Sequence, residues 1–478
     1  MCLGGGVTSN VNPDANDFSN KAAAASAAMQ HGATTARESL IREITDVEVI
    51  RSMLALLAIS VLIGILLAGL RYNGAWLAGI FLTYQAGALA QLPWLGTAYV
   101  VAAIVLSASR YFKSVRPMNW HASDFAAIFL TLMLTASMYW TQDLGRSTEM
   151  VQQFLTSIIG AFILARFVTG RPRPLTKQMV VTLAIGSAVL AVGLVNMRAT
   201  GTWAADHRLV LEDSDASTVG LTQPIPFALV ASSLMALTYK GIYSRVLGVV
   251  CLILVSYLAV VAGTRSVFLS GIIALLVALV LSLEGSLVRR NLLFLPIGVI
   301  AAVFFYDSIP TQEIQGQLDR LTGSFTSGPT PVDASSLERI HLFDVALSLI
   351  QDNPIFGVGY GAYGRYTFQD YPHNVFLEIT SSVGAVGLTI FLLWMFAHVR
   401  DLVVVFSKNR EIGVTLIAFS LAAFLQLQVS FAFSTAKPLF VIVAFAAAMR
   451  DRSMAKYLNK KRIEVFRPKL IQSRTVGV

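Results

Sequence analysis

Residues 245–283 read RVLGVVCLILVSYLAVVAGTRSVFLSGIIALLVALVLSL. Two apolar runs, 245–262 and 266–283, are parted by little more than Gly263-Thr264-Arg265. Each run is 18 residues long. As helix, at ~1.5 Å per residue, such a run covers most of a hydrocarbon core ~30 Å thick. A core packed in water does not need repeated apolar runs of this length. In lipid, backbone groups must be satisfied within the segment, so the runs are expected to be helices.

The pattern recurs at approximately 52–70, 74–90, 92–109, 123–141, 149–168, 178–195, 222–239, 291–306, 375–398, 411–429 and 431–449. Hydrophobic residues make up 55% of the 478-residue chain and charged residues only 13%, about half the ~25% of a soluble domain. The expected fold is all-α, a polytopic transmembrane bundle of about 12 spans with a periplasmic, partly helical loop. Thirteen full spans with the C-terminus inside would export the polar head of residues 1–50. The weakest stretch, 74–109, is interrupted by Gln85, Gln91 and Pro93. It is expected to supply one full span and a partial or re-entrant piece.

Lys and Arg alternate across the runs. Connections near 110–122, 166–177, 240–245, 284–290 and 400–411 hold fourteen of them, and the tail from Arg450 holds nine. The longer connections near 142–149, 196–221, 263–265, 307–372 and 430–437 hold eight. The positive-inside rule therefore predicts a cytoplasmic C-terminus. That distribution also explains the net charge of +9 without nucleic acid as a partner. Cys2 and Cys251 are too few for a disulfide framework. No apolar stretch precedes the small residues near Lys21–Ala28, so residues 1–50 do not read as a cleavable signal. The predicted organisation is a disordered polar tail (1–50), membrane helices (51–306), a periplasmic loop domain (307–372), further membrane helices (373–449) and a basic cytoplasmic tail (450–478).

Two outer loops exceed the usual length of a connection. The first, 196–221, carries Arg198 and Arg208, which are candidate substrate ligands. Its Glu212-Asp213-Ser214-Asp215 reads as a solvated acidic loop, and no metal is expected. The second, 307–372, has eight carboxylates against three arginines. Within it Ser336–Asp352 has helical spacing of Leu337, Ile340, Leu342, Phe343, Leu347 and Ile350.

Arg265 lies at an outer span end, where anchoring arginines are less favoured than inside. A guanidinium donates two parallel hydrogen bonds to phosphate oxygens, so a diphosphate is its natural ligand. The plainer alternative is a snorkelling anchor. Arg339, beside His341 on the loop helix, is a second such cation or a solvated surface residue. Where the loop re-enters the membrane, Tyr371-Pro372-His373-Asn374-Val375-Phe376-Leu377-Glu378 groups an imidazole with polar neighbours. An imidazole can accept a proton from a hydroxyl near neutral pH, although histidines at such junctions also serve as caps. Asn374 can fix the ring or the substrate, and Glu378 lies one helical turn on. The glycines Gly357, Gly359, Gly361 and Gly364 lack the strand–turn–helix context of a dinucleotide loop. They read as a flexible turn delivering the chain to Tyr371.

The run Ser336–Phe391 resembles the O-antigen ligase and polymerase superfamily. The likeness is carried by Arg339, Asn353-Pro354-Ile355-Phe356-Gly357-Val358-Gly359, Pro372-His373-Asn374-Val375-Phe376-Leu377-Glu378 and Gly384-Ala385-Val386-Gly387. Gly263-Thr264-Arg265 is similar to the family's Ser/Thr-Arg element. The resemblance covers about residues 220–400 in motif and has no counterpart for residues 1–50. It implies a GT-C type membrane glycosyltransferase of the bacterial inner membrane, inverting and without metal or cofactor, with its active site facing the periplasm. The implied donor is a glycan on undecaprenyl diphosphate. Arg265 and Arg339 would hold the diphosphate, and His373 would orient or deprotonate the acceptor hydroxyl. Tyr371, Asn374 and Glu378 would line the substrate site.

Within the family the favoured reading is a polymerase building exopolysaccharide or O-antigen. The alternatives are a ligase acting on the lipid A core of lipopolysaccharide, and a protein-glycosylating relative. Implied partners are the acceptor glycan or lipid A core, the lipid bilayer and, as a candidate, a chain-length regulator. A transporter of lipid-linked glycan is the reading from another class, but transporters place charges near the midplane of repeated halves. No such repeat is visible in the sequence.

Overall fold

The computed structural model describes residues 49, 52–90, 92, 94–113, 119–168, 172–199, 222–261, 265–282 and 334–452. The chain divides into Met1–Met53 and Leu54–Val478, and the architecture below is that of the second unit. Nearly all of the 1–50 head, the 291–306 run, the loop to 333 and the tail beyond Arg452 lie outside the described residues.

The described residues form helices and no strand. In chain order these are α1 (Ser52–Arg71), α2 (Gly74–Leu89), α3 (Leu95–Lys113), α4 (Ala122–Ala136) and α5 (Leu144–Phe167). Then come α6 (Pro172–Ala199), α7 (Ile225–Thr238), α8 (Ile242–Val261), α9 (Arg265–Ser282) and α10 (Ala334–Asp352). The last three are α11 (Val375–Lys408), α12 (Arg410–Val429) and α13, residues 437–452. Among the described residues seven helices are long and apolar enough to cross a membrane, and α3, α7 and α9 are shorter apolar helices.

Residues 74–109 form two helices, α2 and α3, packed on each other. Gln85 does not end α2 because its side chain is enclosed by protein, at 1% exposure, and never meets lipid. α7 is buried on every side from Ile225 to Leu237, as are residues 438–449 of α13. A helix apolar all round belongs inside a bundle. Around them α9 packs on α7 and α12, and α11 packs on α4, α12 and α10.

The element that positions the site is a break in α11. At Gly384 the backbone turns to φ 67°, ψ −166°, a region essentially confined to glycine. An unbroken helix would bond Ala385 N–H to Ser381 C=O and Val386 N–H to Ser382 C=O. Here Ala385 N–H donates to Pro354 C=O at 2.9 Å, and Val386 N–H to Ile355 C=O at 3.3 Å. The freed carbonyls of Ser381 and Ser382 accept from Val358 and Gly359 N–H, both at 2.8 Å. The turn 354–359 thus replaces the helix's own ladder. It is a fixed clasp, where the sequence suggested a flexible connection. Gly357 supplies its φ of 66° and leaves room beside Ser381 and Ser382, whose backbone an added Cβ would meet at 2.5 Å.

The clasp also seats α10. Leu342, Ala346 and Leu349 pack with Val358, Ala362 and Tyr363, and the Tyr363 hydroxyl donates to Leu342 C=O at 2.6 Å. Leu337, Ile340 and Leu347, on the expected apolar face, are instead exposed.

Toward the far end of α11 a polar lattice joins α4, α5, α11 and α13. Asp401 accepts from Ser123 at 2.8 Å and pairs with Arg450 at 2.5 Å. Arg166 pairs with Asp124 at 3.0 Å, both buried, and His121 meets Asp451 at 2.6 Å.

Gly384→Ala should unlock the clasp, since its Cβ would stand 2.1 Å from Ile355 O. The expected cost exceeds the ~1–3 kcal/mol of a strained backbone alone. Thermal unfolding in detergent checks this against Gly64→Ala, where an added Cβ meets nothing within 4 Å. Equal stability of the two variants would show that the break is not held by its partners.

Candidate active site

The site begins at the N-terminus of α11. Asn374 is the N-cap, its side-chain oxygen accepting from Phe376 N–H at 3.0 Å and Leu377 N–H at 3.1 Å. Its amide nitrogen donates to Gln428 Oε1 at 3.1 Å. Both ends of the Asn374 side chain therefore anchor backbone and scaffold beside His373.

His373 itself has φ 55°, in the left-handed region that non-glycine residues seldom enter. Such backbones persist where the surroundings over-determine them, and they gather at functional sites. The ring lies 4.5 Å from that of Tyr371, centroid to centroid. Among the described residues, the buried Nδ1 has no hydrogen-bond partner. Burial and, next, the charge of Arg339 hold the imidazole down to about pKa 4, against the opposing pull of Glu338. At neutral pH the ring is uncharged and keeps a lone pair.

Tyr371 donates its hydroxyl to Ser430 C=O at 2.9 Å. Burial and the charge of Glu378 push this phenol up, with Arg339 countering, so it stays protonated. Arg339 is half-buried on α10, near enough for its charge to act on both Tyr371 and His373. Among the described residues it forms no ion pair, whereas Arg146 is held by Glu149 and Asp370. Arg365 is likewise engaged, donating to Gln142 C=O. His341 is exposed.

Glu378 departs from its expected place in the substrate site. It is 3% exposed, and both carboxylate oxygens lie 2.9 Å from Phe433 N–H. A carboxylate enclosed in this way brackets α11 to the turn at 433–435 and has no free edge for a sugar. Arg265 is the first residue of α9. The next residue, Ser266, has its hydroxyl 2.5 Å from that of Ser430, the residue whose carbonyl receives Tyr371. The start of α9 and the His373 turn therefore meet on the same residue. Arg198 falls in the last turn of α6, while Arg208 and Glu212-Asp213-Ser214-Asp215 lie outside the described residues.

The sequence reading missed Gln428, near the end of α12, and Ser430, in the short connection that follows; neither carries a motif. It also treated Lys437 as an orientation signal only. Lys437 is buried, its amine 3.3 Å from Thr83 Oγ1 and 4.5 Å over the Tyr84 ring. A separate cleft lined by Arg173, Lys177, Tyr239 and Glu411 shares no residue with the His373 group.

None of the curated proteins compared with the chain matches it. Residues 249–392 match the family model described as O-antigen ligase. The matched stretch takes in α9, α10, the clasp and the break in α11, and so contains Arg265, Arg339 and His373 together. Over residues 249–392 the chain is similar to the O-antigen ligase family, and its described residues form a helical bundle of membrane-protein character.

Proposed function

We propose that the protein is an inverting, metal-independent glycosyltransferase. It moves a glycan from undecaprenyl diphosphate to a hydroxyl acceptor at the periplasmic face of the inner membrane. The observation that carries this reading is a neutral, half-enclosed imidazole facing an arginine with no carboxylate partner among the described residues. A base must be unprotonated, and a diphosphate needs an uncommitted cation. Arg339 has both effects. It adds to burial in keeping His373 neutral and leaves its own fork for an anion.

In the proposed step the acceptor oxygen attacks the anomeric carbon from the side opposite the carrier. The carbon–oxygen bond to the diphosphate breaks, and the departing diphosphate takes the electron pair. His373 receives the hydroxyl proton. Arg265 and Arg339 stabilise the charge that develops on the leaving group. Tyr371 and Asn374 hold the His373 turn in place. Arg198, in the last turn of α6, and Arg208 are further candidate ligands.

The architecture proposed with this chemistry is GT-C type with about twelve spans, the 307–372 loop outside and the C-terminus in the cytoplasm. The favoured product is polymerised exopolysaccharide or O-antigen. In the ligase alternative, lipid A core is the acceptor. The glycan made by a deletion strain separates them. Capping by a single repeat marks a lost polymerase, and long chains stranded on the carrier mark a lost ligase. Transfer by purified protein in detergent, where no membrane barrier exists, rules out pure transport.

His373→Ala should slow transfer by about 10²–10⁴-fold, the usual contribution of a positioned base, with donor binding kept. Near-normal turnover at normal protein levels would remove the base role. In the wild-type enzyme kcat/KM should hold steady as pH falls from 8 to about 5. It should then fall through the folded pKa of about 4 as the imidazole takes up a proton. An acid limb centred at the unperturbed value of ~6.5 would contradict the enclosed setting of the ring. Arg265→Lys should weaken donor binding by roughly 10–100-fold, because a point charge does not replace the two-pronged contact. Unchanged affinity for the lipid-linked donor would refute that contact.

A further inference from the structure

The site is held together by a segment that lies beyond the matched family region, Gln428-Val429-Ser430-Phe431-Ala432-Phe433. It leaves the end of α12 and carries bonds to the 371–378 stretch and to the start of α9. Gln428 receives the Asn374 amide, and Phe433 N–H bonds Glu378. At Ser430 two further links meet. Its carbonyl accepts the Tyr371 hydroxyl at 2.9 Å, and its hydroxyl lies 2.5 Å from that of Ser266. Ser266 and Ser430 are 7% and 5% exposed, so solvent has little access to either hydroxyl. Removing one hydroxyl would strand the other inside the protein.

Ser266 is bonded covalently to Arg265, and Tyr371 packs against the His373 ring. We infer that Ser430 is a positioning residue, its hydroxyl setting the place of Arg265 through Ser266 against the point where its backbone carbonyl receives Tyr371 beside His373. The proposed cation and base come from stretches more than a hundred residues apart. A shared fixed point in the 428–433 segment gives them one frame. Catalytic geometry is sensitive on this scale, since a shift of about 1 Å can cost ~10²-fold in rate. This rests on the reading of Arg265 and His373 as diphosphate ligand and base.

The test compares Ser430→Ala, Ser266→Ala, the double variant and Ser430→Thr as full-length protein, using lipid-linked donor in detergent. Each alanine variant should lose about 10–100-fold in kcat/KM for the donor. The acceptor KM and the acid limb of the pH profile should not move. The double variant should fall no further than either single one, and Ser430→Thr should recover most of the activity. Melting temperatures should stay within about 2 °C of wild type, separating placement from loss of fold. If Ser430→Ala does not fold, Ser266→Ala approaches the same contact from the other side. Transfer within twofold of wild type by either single variant overturns the inference. So do losses that multiply in the double variant, or a loss that tracks melting temperature and is not rescued by threonine. Absence of transfer by the wild-type protein instead sinks the proposed function, whatever Ser430 does.

Discussion

The rest of the structure depends on an exchange of backbone hydrogen bonds between a loop and a membrane helix. Where α11 breaks at Gly384, two of its N–H groups and two of its carbonyls find their partners in residues 354–359. A helix interior in lipid cannot leave such groups unpaired, since each would cost several kcal/mol. The break is therefore possible only while the turn is docked. The turn, in turn, needs the break, because an unbroken α11 would have no carbonyl to offer Val358 and Gly359. Each half specifies the other, and together they bring α10 and the chain leading to Tyr371 over the start of α11.

That geometry sorts the arginines of this end into two kinds. Arg146 and Arg365 are engaged by carboxylates or a carbonyl and hold neighbouring loops together. Arg339 has no ion-pair partner among the described residues and faces a buried imidazole. Burial alone disfavours charge on His373, and the facing guanidinium adds to it. An anion bound at Arg339 would offset that repulsion, so the proposed base and the proposed diphosphate ligand are coupled by ordinary electrostatics.

The polar groups flanking the ring act mainly on the scaffold. Asn374 caps α11 and reaches α12, Glu378 brackets the turn at 433–435, and Tyr371 ties the re-entering chain to Ser430. This division leaves the imidazole as the uncommitted group of its motif. It also accounts for the left-handed backbone at His373, because both neighbours of the turn are fixed by bonds that the strained residue cannot relax without breaking.

The sequence by itself determined the helical membrane class, because 18-residue apolar runs must satisfy their own backbone in lipid. It also pointed to the stretches of the proposed site, with Arg265 and His373 at the ends of such runs and Arg339 on the loop between them. The paired motifs around Gly357 and Gly384 were legible as motifs, but not as each other's hydrogen-bond partners. Periodicity reports which way a side chain faces and says nothing of which distant carbonyl an N–H will find. For the same reason Gln85 read as an interruption although it is enclosed in protein, and Glu378 read as a ligand although it is a bracket. Ser430 had no signal at all. Only the tertiary structure could select it, because its role lies in contacts between segments far apart in the chain, and an isolated serine between two apolar runs looks the same whether or not it has them.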